Sequence, residues 1–289
     1  MTDENTQVVD PGGRVGEYAR RWRMGIDHAF ETNGSLIAYG RRDDQPVVLK
    51  VVKARGDEWR SGETLRAFAG RGVVSVIEHA DGAVLLERLD PGVSLAALAA
   101  GGHDGEATSI LASVIGAVSP DAPPTGTPTV LDWARGFARY RENGREQIPR
   151  ALVDRAEALY LELCASQRGP RLLHGDLQHY NVLYDRARGW IAIDPKGVVG
   201  EPEYEIGASL RNPIEAPALF TNATVIRARI DRLCGALGLD PRRVLAWAFA
   251  QAVLSVIWSV EDGFPPGVRA SDPVLILART LCRMLDLHQ

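Results

Sequence analysis

The apolar positions change character near residue 90. Before it they come in short β-branched runs broken by polar turns. Ser35–Tyr39 and Pro46–Val52 (P-V-V-L-K-V-V) read as strands, with the polar Arg41–Gln45 stretch as their turn. Val73–Ile77 and Ala83–Glu87 read as two more, joined by Asp81-Gly82. Asp57–Ala69 has helical composition with Trp59, Leu65 and Phe68 as anchors, ended by Gly70 and Gly72. Val15–Arg23 reads as a short basic amphipathic helix, and the polar half-dozen residues at the start are expected to fray. The predicted order to about residue 90 is strand, strand, strand, helix, strand, strand.

Asp90-Pro91-Gly92 punctuates the chain. After it the pattern turns helical over Ser94–Ala100, Glu106–Val118, Val130–Glu142 and Arg150–Ser166, with a loop at Ser119–Pro128. Asn181–Tyr184 and Trp190–Ile193 are short strand-like runs. Helices resume at Thr221, divided at Asp240-Pro241 and at Gly263-Phe264-Pro265-Pro266. This pattern predicts an α+β chain, with a small antiparallel-sheet N-lobe over 1–89 and a mainly helical C-lobe over 90–289. Val244–Val260 is apolar but sits at the short limit for a membrane span and is closely flanked by charges. A buried helix is the expectation there, and no membrane association.

The chain has 289 residues, 45% of them apolar and 24% charged, enough to bury a core and long enough for two lobes. Its net charge of −4 lacks the basic footprint of a nucleic-acid partner. Cys164, Cys234 and Cys282 are odd in number, with no C-x-x-C pair, so neither a disulfide framework nor a zinc site is expected. No apolar leader precedes the first helix, so reduced thiols in a cytoplasmic protein are expected.

The chemistry concentrates in L-L-H-G-D-L-Q-H-Y-N-V-L-Y-D-R-A-R-G-W-I-A-I-D-P-K, Leu172–Lys196. Asp176 and Asn181 have the spacing of the kinase catalytic loop H-R-D-x-x-x-x-N. The apolar run Trp190–Ile193 then delivers Asp194 at a strand end. Phosphoryl transfer spreads charge over the phosphoryl oxygens, so the protein must fix phosphates and metal and orient the acceptor. Asp194 and the Asn181 amide oxygen suit Mg2+. Asp176 suits the acceptor hydroxyl's hydrogen bond and proton. ATP and Mg2+ are the expected cofactors.

This segment resembles the catalytic core of the aminoglycoside phosphotransferase superfamily, whose loop reads H-G-D, as at His174-Gly175-Asp176. I-D-P-K-G-V-V-G-E-P-E-Y-E, Ile193–Glu205, is similar to its aminoglycoside/hydroxyurea kinase branch, which includes the streptomycin kinases. The resemblance implies a protein-kinase-like two-lobed fold and a phosphate-binding role for Lys50 in V-V-L-K-V-V. Lys53 lies on the opposite strand face by parity. A helix carboxylate should pair Lys50. Glu58 and Glu63 are the choices, and Glu63 is preferred because Glu58 in a first helical turn has its own dipole reason. The phosphate-covering loop is Glu31–Ser35, with Gly34 and Ser35 but no G-x-G-x-x-G. Leu85–Leu89 is the adenine hinge, acting through the backbone of Glu87 and Leu89. Asp194-Pro195-Lys196 replaces D-F-G, so no phenylalanine switch is expected.

His174 is read as a backbone-fixing residue, His179 as a hydrogen-bonded loop histidine, and Trp22, Trp133, Trp247 and Trp258 as packing. Glu201, Glu203, Tyr204 and Glu205 either line the acceptor site or form a solvated acidic loop, with Arg211 pairing one of them. The reading that follows is ATP-dependent transfer to a hydroxyl of a small molecule, such as a streptomycin-like aminocyclitol or hydroxyurea. A metabolite kinase for a sugar, choline or amino-alcohol is the alternative. A nucleotide-binding pseudokinase scaffold is disfavoured, because Lys50, Asp176, Asn181 and Asp194 are all present.

Overall fold

The computed structural model describes residues 11–118, 120, 122–143, 147–263 and 271–287. The polar start of the chain and the Phe264-Pro265-Pro266 divider lie outside them. The chain begins α1 (Pro11–Arg21), β1 (Gly25–Glu31), β2 (Ser35–Arg42), β3 (Gln45–Val52), a 3₁₀ turn (Asp57–Arg60), α2 (Ser61–Ala67), β4 (Val76–Ala80), β5 (Ala83–Glu87) and β6 (Pro91–Ser94). It continues α3 (Leu95–Ala100), α4 (Asp104–Ala117), α5 (Val130–Trp133), α6 (Arg135–Glu142), α7 (Arg150–Ala165), β7 (Arg171–Leu173), β8 (Val182–Asp185), β9 (Gly189–Ala192) and β10 (Val198–Gly200). It ends α8 (Pro202–Ser209), α9 (Ala218–Thr221), α10 (Ala223–Leu237), α11 (Pro241–Glu261) and α12 (Pro273–Asp286).

Two compact units result. One takes residues 1–93, 117–125 and 183–197, and the other takes the rest. The first break falls after Val93, and residues 117–125 and 183–197, the latter bearing Asp194, group with the first unit rather than with the expected C-lobe.

The first unit is an antiparallel sheet in the order β1-β2-β3-β5-β4. Alternation along the strands sorts its faces. Ala38, Val47, Leu49, Val51, Ala83 and Leu85 pack with Val15, Tyr18, Ala19 and Trp22 of α1 and its exit. Ile37, Tyr39, Val48, Lys50, Val84 and Leu86 lie on the opposite face. The β2–β3 turn puts Asp43 and Asp44 at positive φ, the short hairpin form that Asp tolerates. The pattern counts β1 without placing it, because all seven of its residues are exposed and no alternation shows. Strand β4 starts three residues later than predicted. Val73 and Val74 instead bridge to Ala192, with Val74 N–H donating to its carbonyl at 2.9 Å.

In the second unit α11 is the central helix, packed on α7, α8 and α12. It has the length and apolarity of a membrane span, but 78% of its most apolar window is buried inside the protein. Asp240 accepts from the N–H groups of Arg242 and Arg243, and Pro241 takes the first helical turn; Asp272 and Pro273 start α12 the same way. All three cysteines are free. The elements missed from sequence here, β7, β10, α8 and α9, are short.

Arg229 is the chief polar tie of this unit. Its side chain is 3% exposed. It donates to both Asp104 oxygens at 3.1 Å and to the Asn212 carbonyl at 2.8 Å, joining α10 to α4 and to the turn after α8. Arg229 also donates to the Ser209 carbonyl at 3.4 Å, so Arg229→Met strands a carboxylate and two carbonyls, and should cost about 3–5 kcal/mol of stability in urea unfolding. A loss below about 1 kcal/mol contradicts the assignment.

Candidate functional site

The parity of β3 sends Lys50 away from α1, onto the face where a cavity of about 370 Å³ opens within the first unit. His28, Tyr39, Val48, Leu86, Glu87, Leu89, Leu183 and Asp194 are among its lining residues. Lys50 is 7% exposed. Its ammonium meets Glu58 at 2.8 Å and hydrogen-bonds Asp194. Burial works against its charge, but the Asp194 and Glu58 carboxylates outweigh that and hold its pKa above the ordinary lysine value. Asp194 reaches Lys50 from a left-handed backbone at φ 62°, a conformation costing a non-glycine residue about 1–2 kcal/mol.

Lys50 pairs with Glu58, not Glu63. The α-helix begins at Ser61 rather than Asp57, so Glu58 lies in the 3₁₀ turn and the dipole argument does not apply to it. Glu63 occupies the first turn of α2 and pairs with Arg60. Close packing sets the helix position. A Cβ on Gly62 would lie 2.4 Å from His79 Cβ, and one on Gly197 (φ +76) 2.7 Å from Thr64 Cγ2.

Thr32, rather than Gly34 or Ser35, lines the cavity from the β1–β2 turn. Lys53 does lie apart from Lys50, pairing with Glu31 at 2.6 Å. At the expected hinge, Glu87 N–H donates to Ser75 O at 3.1 Å and Arg88 N–H to Pro46 O at 3.3 Å. The Glu87 side chain accepts from Ser75 N–H at 2.8 Å and pairs with Arg188, which no sequence motif marks.

The loop bearing Asp176 and Asn181 is built in the second unit. β7 pairs with β10, Leu173 opposite Val198, and releases the chain at His174. The Glu205 carboxylate accepts from the N–H groups of His174 at 2.7 Å and Gly175 at 3.0 Å. Burial pushes its carboxyl up to about 7, against those N–H groups and that of Leu177, which favour the charge. His174 Nδ1 accepts from Asp176 N–H at 3.3 Å. Asn181 Nδ2 donates to the Asp176 carbonyl at 2.8 Å and to Oδ2 at 3.3 Å. The loop is thus tied around the two residues whose spacing first marked it.

His179 is buried, with neither ring nitrogen hydrogen-bonded among the described residues, contrary to the expected bonded histidine. Burial first, then the nearby Arg229, lowers its pKa to about 3.

The acceptor assignment to Glu203, Tyr204 and Glu205 is overturned, and so is the solvated-loop alternative. This segment is helix α8, buried throughout Glu203–Ser209. Glu205 serves the loop backbone. Tyr204 packs edge-on against Trp247 and Tyr160, with ring centroids 5.0 and 6.2 Å away. Glu203 is 8% exposed. Glu201 accepts from Arg243 at 2.5 Å and from the indole of Trp247. Arg211 pairs with none of them. Its guanidinium lies 3.7 Å from Asp176 Oδ1. Tyr180 donates to Glu215 and accepts from Ile214 N–H at 3.0 Å. The turn 211–217 therefore leans on the catalytic loop at two points, a contact that no motif announces.

The family model for aminoglycoside/hydroxyurea antibiotic resistance kinases matches residues 21–263. A streptomycin 3''-kinase of Klebsiella pneumoniae is 33% identical over 92% of this chain and 99% of its own. A hydroxyurea phosphotransferase of Kitasatospora aureofaciens is 32% identical over 87% of this chain and 74% of its own. Among solved structures, aminoglycoside phosphotransferase APH(4)-Ia has TM-score 0.65 at 16% identity, over 95% of this chain and 98% of its own. Choline kinase LicA from Streptococcus pneumoniae has TM-score 0.61 at 13% identity, over 96% and 99%. At such identities the structures establish the kinase-like fold.

Glu58→Gln should weaken ADP binding about threefold to tenfold by calorimetry, through a loosened Lys50. Glu63→Gln, altering a partly exposed pair, should stay within about twofold. The reverse ranking would restore Glu63.

Proposed function

The chain belongs to the aminoglycoside/hydroxyurea antibiotic resistance kinases, and from that premise we propose that it transfers the γ-phosphoryl group of ATP to a hydroxyl of a small polar acceptor, a streptomycin-like aminoglycoside or hydroxyurea. The observation that carries the reading is the Lys50 ammonium held between Glu58 and Asp194 on the wall of a nucleotide-sized cavity.

Each residue then has a task. Lys50 binds the nucleotide phosphates, and Glu58 holds it in place. Val48, Leu86 and Leu183 give the base apolar walls. The Leu89 N–H has no partner among the described residues and suits an adenine ring nitrogen. Asn181 spends its NH₂ on Asp176, so its Oδ1 remains a donor atom to a metal, and Asp194 keeps Oδ2. These are the hard oxygens that Mg2+ takes. When bound, Mg2+ supplies charge neutralisation at the phosphoryl oxygens. Asp176 accepts the acceptor hydroxyl's hydrogen bond and then its proton, with Asn181 and Arg211 fixing the carboxylate. The O–H bond breaks as the new P–O bond forms, and ADP leaves with the bridging oxygen.

We assign acceptor recognition to the turn 211–217 in place of α8. Glu215 is exposed, is oriented by Tyr180 of the catalytic loop, and offers a carboxylate to a guanidinium or ammonium.

Asp176→Asn should lower kcat by about 10²–10⁴-fold while leaving ADP affinity unchanged; retained turnover removes Asp176 from its role. Streptomycin or hydroxyurea should stimulate ADP release in a coupled assay. Stimulation by choline or a sugar alone moves the reading to a metabolite kinase. No stimulation, together with no shift in Tm by nucleotide, overturns it. With a cationic acceptor, Glu215→Gln should raise the acceptor KM about tenfold and leave the ATP KM unchanged. Equal effects on both would discard that contact.

A further inference from the structure

The β1–β2 turn has one glycine where kinases use several, and its backbone bonding shows how it manages. The Thr32 and Asn33 carbonyls both accept from Lys53 Nζ, Asn33 at 3.3 Å. The Gly34 carbonyl accepts from Lys53 N–H at 2.9 Å. Thr32 N–H donates to Ser35 O at 2.8 Å, and Ser35 N–H to Thr32 Oγ1 at 3.0 Å. So the carbonyls of 32 to 35 are all occupied, three of them by one residue. The N–H groups of Asn33 and Gly34 have no partner among the described residues.

A second observation points to a ligand. Ser35 is 2% exposed and its hydroxyl has no hydrogen-bond partner among the described residues. Ser35 is not itself on the cavity wall, but by strand parity it shares a face with Ile37 and Tyr39, which are. Among the described residues a Cβ on Gly34 would meet only Glu58 Oε2, at 4.0 Å, so the open side of the turn faces the carboxylate that Lys50 neutralises.

Resting on the phosphotransfer reading above, we propose that Lys53 is a positioning residue that turns this one-glycine turn into a nest for the nucleotide phosphates. Carbonyl oxygens turned toward a polyphosphate would repel it. Lys53 gathers them to one side and leaves two N–H groups and the Ser35 hydroxyl as donors on the other. Glu31 holds the ammonium in place. The cation works through the backbone, not by touching phosphate as Lys50 does.

Calorimetry with ADP and with adenosine tests this, beside Tm as the control for folding. Lys53→Met should bind ADP about tenfold more weakly and adenosine as the wild type does. The ADP deficit should persist at about 1 M salt, where the Debye length is about 3 Å, because it is geometric. Lys53→Arg, which can also donate to carbonyls, should recover most of the affinity. Ser35→Ala should show a smaller loss, again for ADP alone. Unchanged ADP binding by Lys53→Met, equal losses for ADP and adenosine, or a deficit that vanishes at high salt would each overturn the nest. A wild-type protein that binds no ADP overturns the phosphotransfer reading instead.

Discussion

The first unit is organised around a buried ammonium. A lysine at 7% exposure persists as a charge only with partners at close range, since a lone buried charge costs several kcal/mol. Glu58 supplies one from the next element along the chain, and Asp194 the other from 144 residues further on. The rest of the unit delivers them. Gly62 lets α2 come up against β4, bringing the preceding 3₁₀ turn and Glu58 over the sheet. The β8–β9 hairpin ends at Asp194, whose left-handed backbone aims the carboxylate back at Lys50. Arg188, just before β9, pins that hairpin to Glu87 and to the Val73 carbonyl at 3.1 Å.

A buried carboxylate plays the corresponding part in the second unit. Glu205 sits under the catalytic loop and satisfies two successive N–H groups that no strand or helix reaches. It stands on α8, which α11 approaches so closely that a Cβ on Gly207 would lie 2.2 Å from Gln251 Oε1. Gln251 in turn donates to the Tyr204 carbonyl at 2.6 Å. The acidic stretch after Asp194 is thus the foundation of the loop and not its acceptor surface. The acceptor surface proposed for this protein begins one turn later, where Arg211 and Tyr180 bind the turn to the loop.

Much of this was legible in the residues themselves. The alternation of P-V-V-L-K-V-V sets Lys50 on the face opposite the core, because successive strand side chains point to opposite sides. The spacing of Asp176 and Asn181, and the apolar run that ends at Asp194, identified the chemistry and the family without coordinates. What period and spacing cannot carry is partner choice between elements distant in sequence. Glu58 and Glu63 are equally acidic and lie on one predicted helix, so only the point at which the α-helix begins, set by packing against His79, decides between them. Glu201, Glu203 and Glu205 read either as an acceptor wall or as a solvated loop, because a carboxylate normally seeks a cation or water. The burial of Glu201 and Glu205 depends on Arg243, Trp247 and the loop N–H groups, which only the folded chain brings near. The sequence by itself determined the family and which residues are proposed to do the chemistry. The tertiary structure decided which residues hold them, because a buried charge or an unpaired N–H is answered by whatever the packing places within about 3 Å.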